Sequence, residues 1–224
     1  TLGPHKRKQA GKGKGRPRHA YLPPTEERDQ LIADIERTGQ LQSTLWTRAR
    51  GLMRRHWAYA EASGDGFFAV RTTGNLGHRI LRLKPDEAIL REIYTWTLRA
   101  IEMEPENPYV WGLWARVLVA LGEAEAAFAV RWETIRRFPE NSIFRNELAE
   151  LLRRRARPVL AEDLLRETMR DFPRDEVCRN ILAELLRDTG RPEEAEPLLR
   201  ETMRDFPRDE VCRNILAELL RDTG

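Results

Sequence analysis

The sequence predicts an all-α solenoid of stacked helical hairpins, and three observations predict it. The segment from Leu164 to Gly190, LLRETMRDFPRDEVCRNILAELLRDTG, recurs without a change from Leu198 to Gly224, a spacing of 34 residues. The preceding unit, Glu140 to Pro173, matches Arg174 to Pro207 at 22 of 34 positions, a fainter unit runs from Glu106 to Pro139, and Pro105, Pro139, Pro173 and Pro207 close successive units. Each unit also carries two segments whose apolar residues fall on one helical face. One hairpin cannot bury both of its apolar faces alone, so neighbouring units must stack into a continuous core.

The elements follow in chain order. Residues 1–24 hold Lys6, Arg7, Lys8, Lys12, Lys14, Arg16 and Arg18 with no acid in the first twenty, and read as a flexible basic arm ending in a linker. Such an arm serves either polyanion contact or simple solvation. Thr25 to Thr38 is a short helix with Leu31, Ile32 and Ile35 on one side. Thr44 to Ser63 is a second, with a stripe of Leu45, Trp46, Ala49, Leu52, Met53 and Trp57. Gly66 to Leu83 and Asp86 to Met103 complete a region, 25–104, of degenerate capping hairpins. Residues 105–224 are the repeats, the last incomplete. In the fullest unit the first helix shows Val177, Ile181, Leu182, Leu185 and Leu186, and the second shows Leu198, Leu199, Met203 and Phe206. Gly190 stands where a left-handed cap ends the first helix, Pro192 with Glu193 and Glu194 opens the second at its dipole-positive end, and Pro207 stops it.

The 34-residue length, the turn glycine and the closing proline resemble the tetratricopeptide repeat. On that register the family's small residue in the first helix falls on Ala115, Ala149, Ala183 and Ala217, its turn glycine on Gly122, Gly190 and Gly224, and its small residue in the second helix on Ala127, Ala161 and Ala195. Two departures stand out. The family's early Trp is present only as Trp111, being Arg145, Arg179 and Arg213 later, and the second unit has Ala156 where the turn glycine belongs. The resemblance covers about half the chain and implies a right-handed solenoid whose concave face, lined by the first helix of each pair, binds a partner.

That face offers Gly112, Asn146, Asn180 and Asn214 at the fifth position of successive units, Arg116, Glu150, Glu184 and Glu218 at the ninth, then Arg153, Arg187 and Arg221. The Asn ladder with its Glu and Arg rows reads either as a site for an extended polar ligand or as a solvated face laced with ion pairs. The family's Lys and Asn clamp for a peptide carboxylate is not reproduced. A secondary resemblance is to the pentatricopeptide family of RNA readers, in which the fifth residue of the first helix and the last residue of the unit read one base. It pairs Asn146 with Asp175 and Asn180 with Asp209, and sets Ile143, Val177 and Val211 against the bases. The expected function is a non-enzymatic scaffold for protein, peptide or self-assembly contacts, with RNA binding as the alternative. On either reading Asn180 and Asn214 matter to ligand binding and little to stability.

Composition excludes other classes. Hydrophobic residues make up 41% and charged residues 33%, with a net charge of +3. Seven of the 39 basic residues lie in the arm, leaving 32 against 36 acidic residues in a slightly acidic body. No membrane span is expected, since the most apolar stretch, Val110 to Gly122, is short and interrupted by Arg116. Cys178 and Cys212 occupy one position of two successive repeats, too far apart for a disulfide, and read as small buried apolar residues. His56 and His78 lack partners at ligand spacing, no nucleophile, base and orienter form a set, and Gly11 to Gly15, GKGKG, has no strand before it and no helix after it. No enzyme activity, metal or cofactor is expected. Trp96, Trp111, Trp114 and Trp132 are assigned to core packing. The chain starts at Thr1 without an initiator Met or a signal-peptide core, reads as processed or incomplete there, and is expected to be cytoplasmic. It stops after the first helix of a unit, which predicts that the apolar faces of Val211, Ile215, Leu216, Leu219 and Leu220 are partly uncovered. Further repeats in the natural chain, or another copy docking head to tail into a filament, would then cover them.

Overall fold

A computed structural model describes residues 25–223, and among them it contains α-helices and no strand. The basic arm, with Lys6, Arg7, Lys8, Lys12, Lys14, Arg16 and Arg18, lies outside the described residues. Two compact units divide at Leu83 and Lys84. The boundary read from the sequence at residue 104 falls instead between two helices that pack together within the second unit.

The first unit is built from α1 (Thr25–Thr38), α2 (Ser43–Ser63) and α3 (Phe67–Arg82), each packed on the other two. Leu31, Ile35, Leu52 and Met53 are fully buried, on the faces that the apolar spacing predicts, and Leu76 and Ile80 of α3 are buried with them. His56 is buried with them as a core histidine, and its Nδ1 lies 2.7 Å from the Thr72 hydroxyl.

The second unit contains α4 (Glu87–Met103), α5 (Pro108–Ala120), α6 (Ala124–Arg137), α7 (Ser142–Arg154), α8 (Pro158–Asp171), α9 (Glu176–Asp188), α10 (Pro192–Asp205) and α11 (Glu210–Thr223). Each helix packs on the next in chain order. In addition α7 packs along α9 and α9 along α11, whereas the backbones of α8 and α10 approach less closely. The stack therefore curves toward α7, α9 and α11, which form its concave face. The small residues of the family register are fully buried at Ala115, Ala149, Ala183, Ala127, Ala161 and Ala195, where helices approach most closely.

Every repeat begins with the same cap. Asn107, Asn141, Asp175 and Asp209, two residues after each closing proline, accept backbone N–H groups of the following helix at 2.9 to 3.1 Å. The turns match as well. Gly122 and Gly190 have φ of 80° and 74°, and Ala156, in the glycine's place, is held in the same left-handed region at φ 54°. A Cβ is disfavoured there. Ala156→Gly is therefore expected to stabilise the fold by about 0.5–1 kcal/mol and raise the thermal midpoint by about 1–4 °C. Circular dichroism melts check it, and a midpoint that falls would show that Ala156 contributes packing that outweighs its backbone cost.

The structure also explains the missing tryptophans. Trp111 donates its indole N–H to the Pro105 carbonyl at 2.7 Å. Arg179 and Arg213 donate to the Pro173 and Pro207 carbonyls at 3.0 and 3.1 Å, so a guanidinium makes the equivalent bond at the same register. Arg179 also stacks over Phe206 and reaches Asp205 at 2.7 Å, and Arg145 repeats that stack and ion pair on Phe172 and Asp171.

One expectation is corrected. Trp96 and Trp111 are core residues and Trp114 is half-buried, but Trp132 is 51% exposed, because its register position is held by Arg166 and Arg200 in the later repeats and points outward. At the last helix the apolar face is partly uncovered, with Val211 and Leu220 exposed and Ile215, Leu216 and Leu219 buried. Cys178 and Cys212 are buried free thiols, each donating to a carbonyl of the preceding helix, Leu165 and Leu199, at 3.3 Å. Burial, reinforced by Asp175 nearby, pushes the Cys178 thiol up to about 12, which removes it as a nucleophile.

Candidate functional site

The concave face is built from the first helix of each repeat, and its polar residues are largely spent on joining one repeat to the next. Asn146 and Asn180 are each only 5% exposed. Their amide N–H groups donate to the carboxylates of Asp175 and Asp209 at 2.9 and 2.7 Å, while the other oxygen of each carboxylate caps the next helix. The expectation that the Asn ladder stands free of the fold is therefore corrected for these two residues. Asn214 does lie exposed, with no following unit among the described residues. The pairs read as RNA-recognition pairs, Asn146 with Asp175 and Asn180 with Asp209, are brought together, but bonded to each other rather than open to a base edge.

The Glu and Arg rows interlock in the same way. Arg153 bonds Glu150 at 2.9 Å within its helix and reaches Glu184 at 3.4 Å and Asp188 at 2.5 Å in the next repeat, and Arg187 reaches Glu218 at 2.8 Å. Arg221 stands at the edge, 3.7 Å from Asp222. Burial alone would raise the Glu150 carboxyl, but the guanidiniums of Arg153 and Arg154 outweigh it and hold the group below the usual carboxylate range. The laced-face reading thus describes these rows.

What the face leaves open is apolar. Ile143, Val177 and Val211, one per repeat, are 61%, 50% and 56% exposed, and Tyr109 occupies the same position of the preceding unit. Between α7 and α9 an open cleft of about 850 Å³ is lined by Ile143, Val177 and Ile181, by Phe172 and Pro173 of the intervening turn, and by Asn146. Its rim carries Glu147, Glu150 and Asp171, which pair with Arg131, Arg153 and Arg145, and also Asp175, Glu176 and Arg174, so its acidity is centred on Asp175 and Glu176. The sequence reading places Ile143 and Val177 at a contact position, and misses the turn residues 171–174, whose contribution depends on the close approach of two units.

The family model for the tetratricopeptide repeat matches residues 177–205. The matched hairpin, α9 with α10, is a tetratricopeptide repeat. The fold agrees over most of the chain. A tetratricopeptide-repeat protein from Parabacteroides merdae ATCC 43184 is similar at a TM-score of 0.62 and 17% identity, covering 89% of this chain and 74% of that one. A thermophilic tetratricopeptide-repeat protein of Thermus thermophilus is similar at 0.60 and 15% identity, over 86% and 98%. YrrB, described as a tetratricopeptide-repeat protein with an unusual peptide-binding site, is similar at 0.54 and 11% identity, over 84% and 97%. At these identities the similarity is one of fold. No curated protein matches the chain in sequence. Among the described residues no helix is long and apolar enough to cross a membrane, and no group of three potential metal ligands occurs.

Proposed function

We propose that the chain is a non-enzymatic scaffold whose concave face holds an extended peptide segment of a partner protein. The observation that carries this reading is the cleft between α7 and α9, where exposed Ile143 and Val177 stand in an apolar floor with a predominantly acidic rim. Its volume of about 850 Å³ is in the range of sites that enclose several ligand side chains. The acidic rim favours a peptide that combines aliphatic with cationic residues, and the peptide-binding site named for YrrB supports a peptide over other ligands.

RNA draws less support, because carboxylates around the cleft repel phosphodiesters and the Asn amides are already bonded. Docking of another copy also draws less, since most of the apolar face of α11 is covered.

Fluorescence anisotropy with labelled peptides tests the proposal. A leucine and lysine peptide is expected to bind, a leucine and glutamate peptide is not, and Ile143→Asp with Val177→Asp should abolish binding at an unchanged thermal midpoint. Binding that ignores both substitutions, or an absorbance ratio at 260 and 280 nm that falls after ribonuclease treatment, would overturn it.

A further inference from the structure

Resting on that reading, we infer that the ligand is a polyproline-II segment with an aliphatic side chain at every third residue and Lys or Arg between, one ligand turn per repeat.

The inference comes from matching periods. Ile143, Val177 and Val211 are exposed at one position of three successive repeats, on helices α7, α9 and α11 that pack side by side. Packed helices lie about 8–10 Å apart, so the exposed apolar side chains repeat at that interval across the face. A ligand running across the helices must present a side chain to the same side at the same interval. A polyproline-II chain rises about 3.1 Å per residue with three residues per turn, hence about 9 Å between side chains on one face. A β-strand rises about 3.3 Å and alternates faces, giving same-side intervals of about 7 or 13 Å, neither of which fits. An α-helix meets the interval with residues seven apart, but it needs an apolar stripe about 100° wide. Here α7 and α9 each expose a single large aliphatic residue, Ile143 and Val177, and Val211 holds the same position on α11. Of the other apolar groups of the cleft, Phe172 and Pro173 lie in the turn and only Ile181 lies on a helix. The Asn146 and Asp175 pair lies beside Val177 and the Asn180 and Asp209 pair beside Val211.

Charge fixes the residues between. The turn before each of the two valines places a second acid directly after the cap carboxylate, Asp175 with Glu176 and Asp209 with Glu210, so an acidic pair stands beside Val177 and Val211, whereas Ile143 follows Asn141 and Ser142. A polyproline-II ligand with no internal hydrogen bonds leaves its intervening side chains free to reach those carboxylates. Val177 borders the steps on both sides of it and Val211 only one, so the two positions are unequal although their local sequences are alike.

Three labelled peptides of about fifteen residues test this, each with five leucines among lysines, serines and prolines in identical composition. One carries leucine at every third residue, one at every second, and one at the spacing of a helical stripe. The third-residue peptide is expected to bind about tenfold tighter than either of the others, with Val177→Ser costing about tenfold and Val211→Ser about threefold. Both valines are half exposed, and circular dichroism of each variant confirms that the fold is retained. Equal or tighter binding of the second-residue or helical peptide overturns the inference and leaves the peptide-scaffold reading standing. Binding of none of the three overturns both.

Discussion

Glu147→Ala is expected to destabilise the protein by about 3–5 kcal/mol, although the residue lies on the rim of a solvent-open cleft. The cause is its partner. Arg131 on α6 is 3% exposed, and its guanidinium pairs with the Glu147 carboxylate of α7 across the junction of two repeats. Burial lowers the Arg131 pKa, Glu147 opposes that shift through its charge and hydrogen bond, and Arg116 nearby adds further repulsion. Removing Glu147 leaves a buried cation that has no counter-charge and does not lose its proton near neutral pH.

The repeats themselves supply the control. Counting 34 residues onward, Arg131 falls on Leu165 and then Leu199, both fully buried, and Glu147 falls on Ile181 and then Ile215. The ion pair thus takes the place of an aliphatic pair that the later units use at the same junction. Arg131→Leu combined with Glu147→Ile is expected to be neutral or stabilising by about 1–4 kcal/mol relative to the parent chain. Urea denaturation of the parent, both single variants and the double variant closes the cycle. A small loss for Glu147→Ala would mean that water reaches Arg131, and a large loss for the double variant would mean that the charges serve the packing of this junction in a way the later repeats do not need.

The helices, their order and their stacking are legible in the sequence because each rests on local signals. The 3.6 period, the turn glycine and the closing proline mark the hairpins from Pro105 onward without knowledge of their neighbours, and even Ala156 keeps the glycine's backbone conformation. The partners of polar groups are not legible in that way. In a stack, the residue facing Asn146 is Asp175, 29 positions along the chain, and the residues facing Arg153 are Glu184 and Asp188. A reading that places side chains on faces of single helices assigns all of them to solvent. The one available signal is the recurrence of an Asn and a capping Asp at that same separation, Asn146 with Asp175 and Asn180 with Asp209, and without the third dimension it reads equally well as a ligand code. Trp132 shows the opposite error. Its size suggests the core, whereas its register equivalents, Arg166 and Arg200, already mark an outward position.

Asn180→Ala is expected to destabilise the protein by about 1–2 kcal/mol, while Asn214→Ala changes stability by less than about 0.5 kcal/mol. The two residues make an unusually clean comparison, because each sits in the same 27-residue segment, Leu164 to Gly190 and Leu198 to Gly224, so intrinsic helix propensity cancels. They differ in their tertiary partners. Asn180 is buried and donates at 2.7 Å to Asp209, which also caps α11, so its loss removes a bond to a charged group and loosens the junction of two repeats. Asn214 is exposed. The lost contribution is held down by the Asn180 carbonyl oxygen, which is buried without a hydrogen-bond partner and whose removal recovers part of the cost. Asp209→Asn, which keeps one oxygen to cap α11 but turns an NH2 group toward the Asn180 amide, should lose less than Asp209→Ala, which removes the cap and the bridge together. Thermal and urea unfolding of the four variants decide the matter. Equal effects at Asn180 and Asn214 would show that the bridge contributes nothing and that both residues are free for a ligand. A selective loss at Asn180 makes the buried part of the ladder a fastening between repeats.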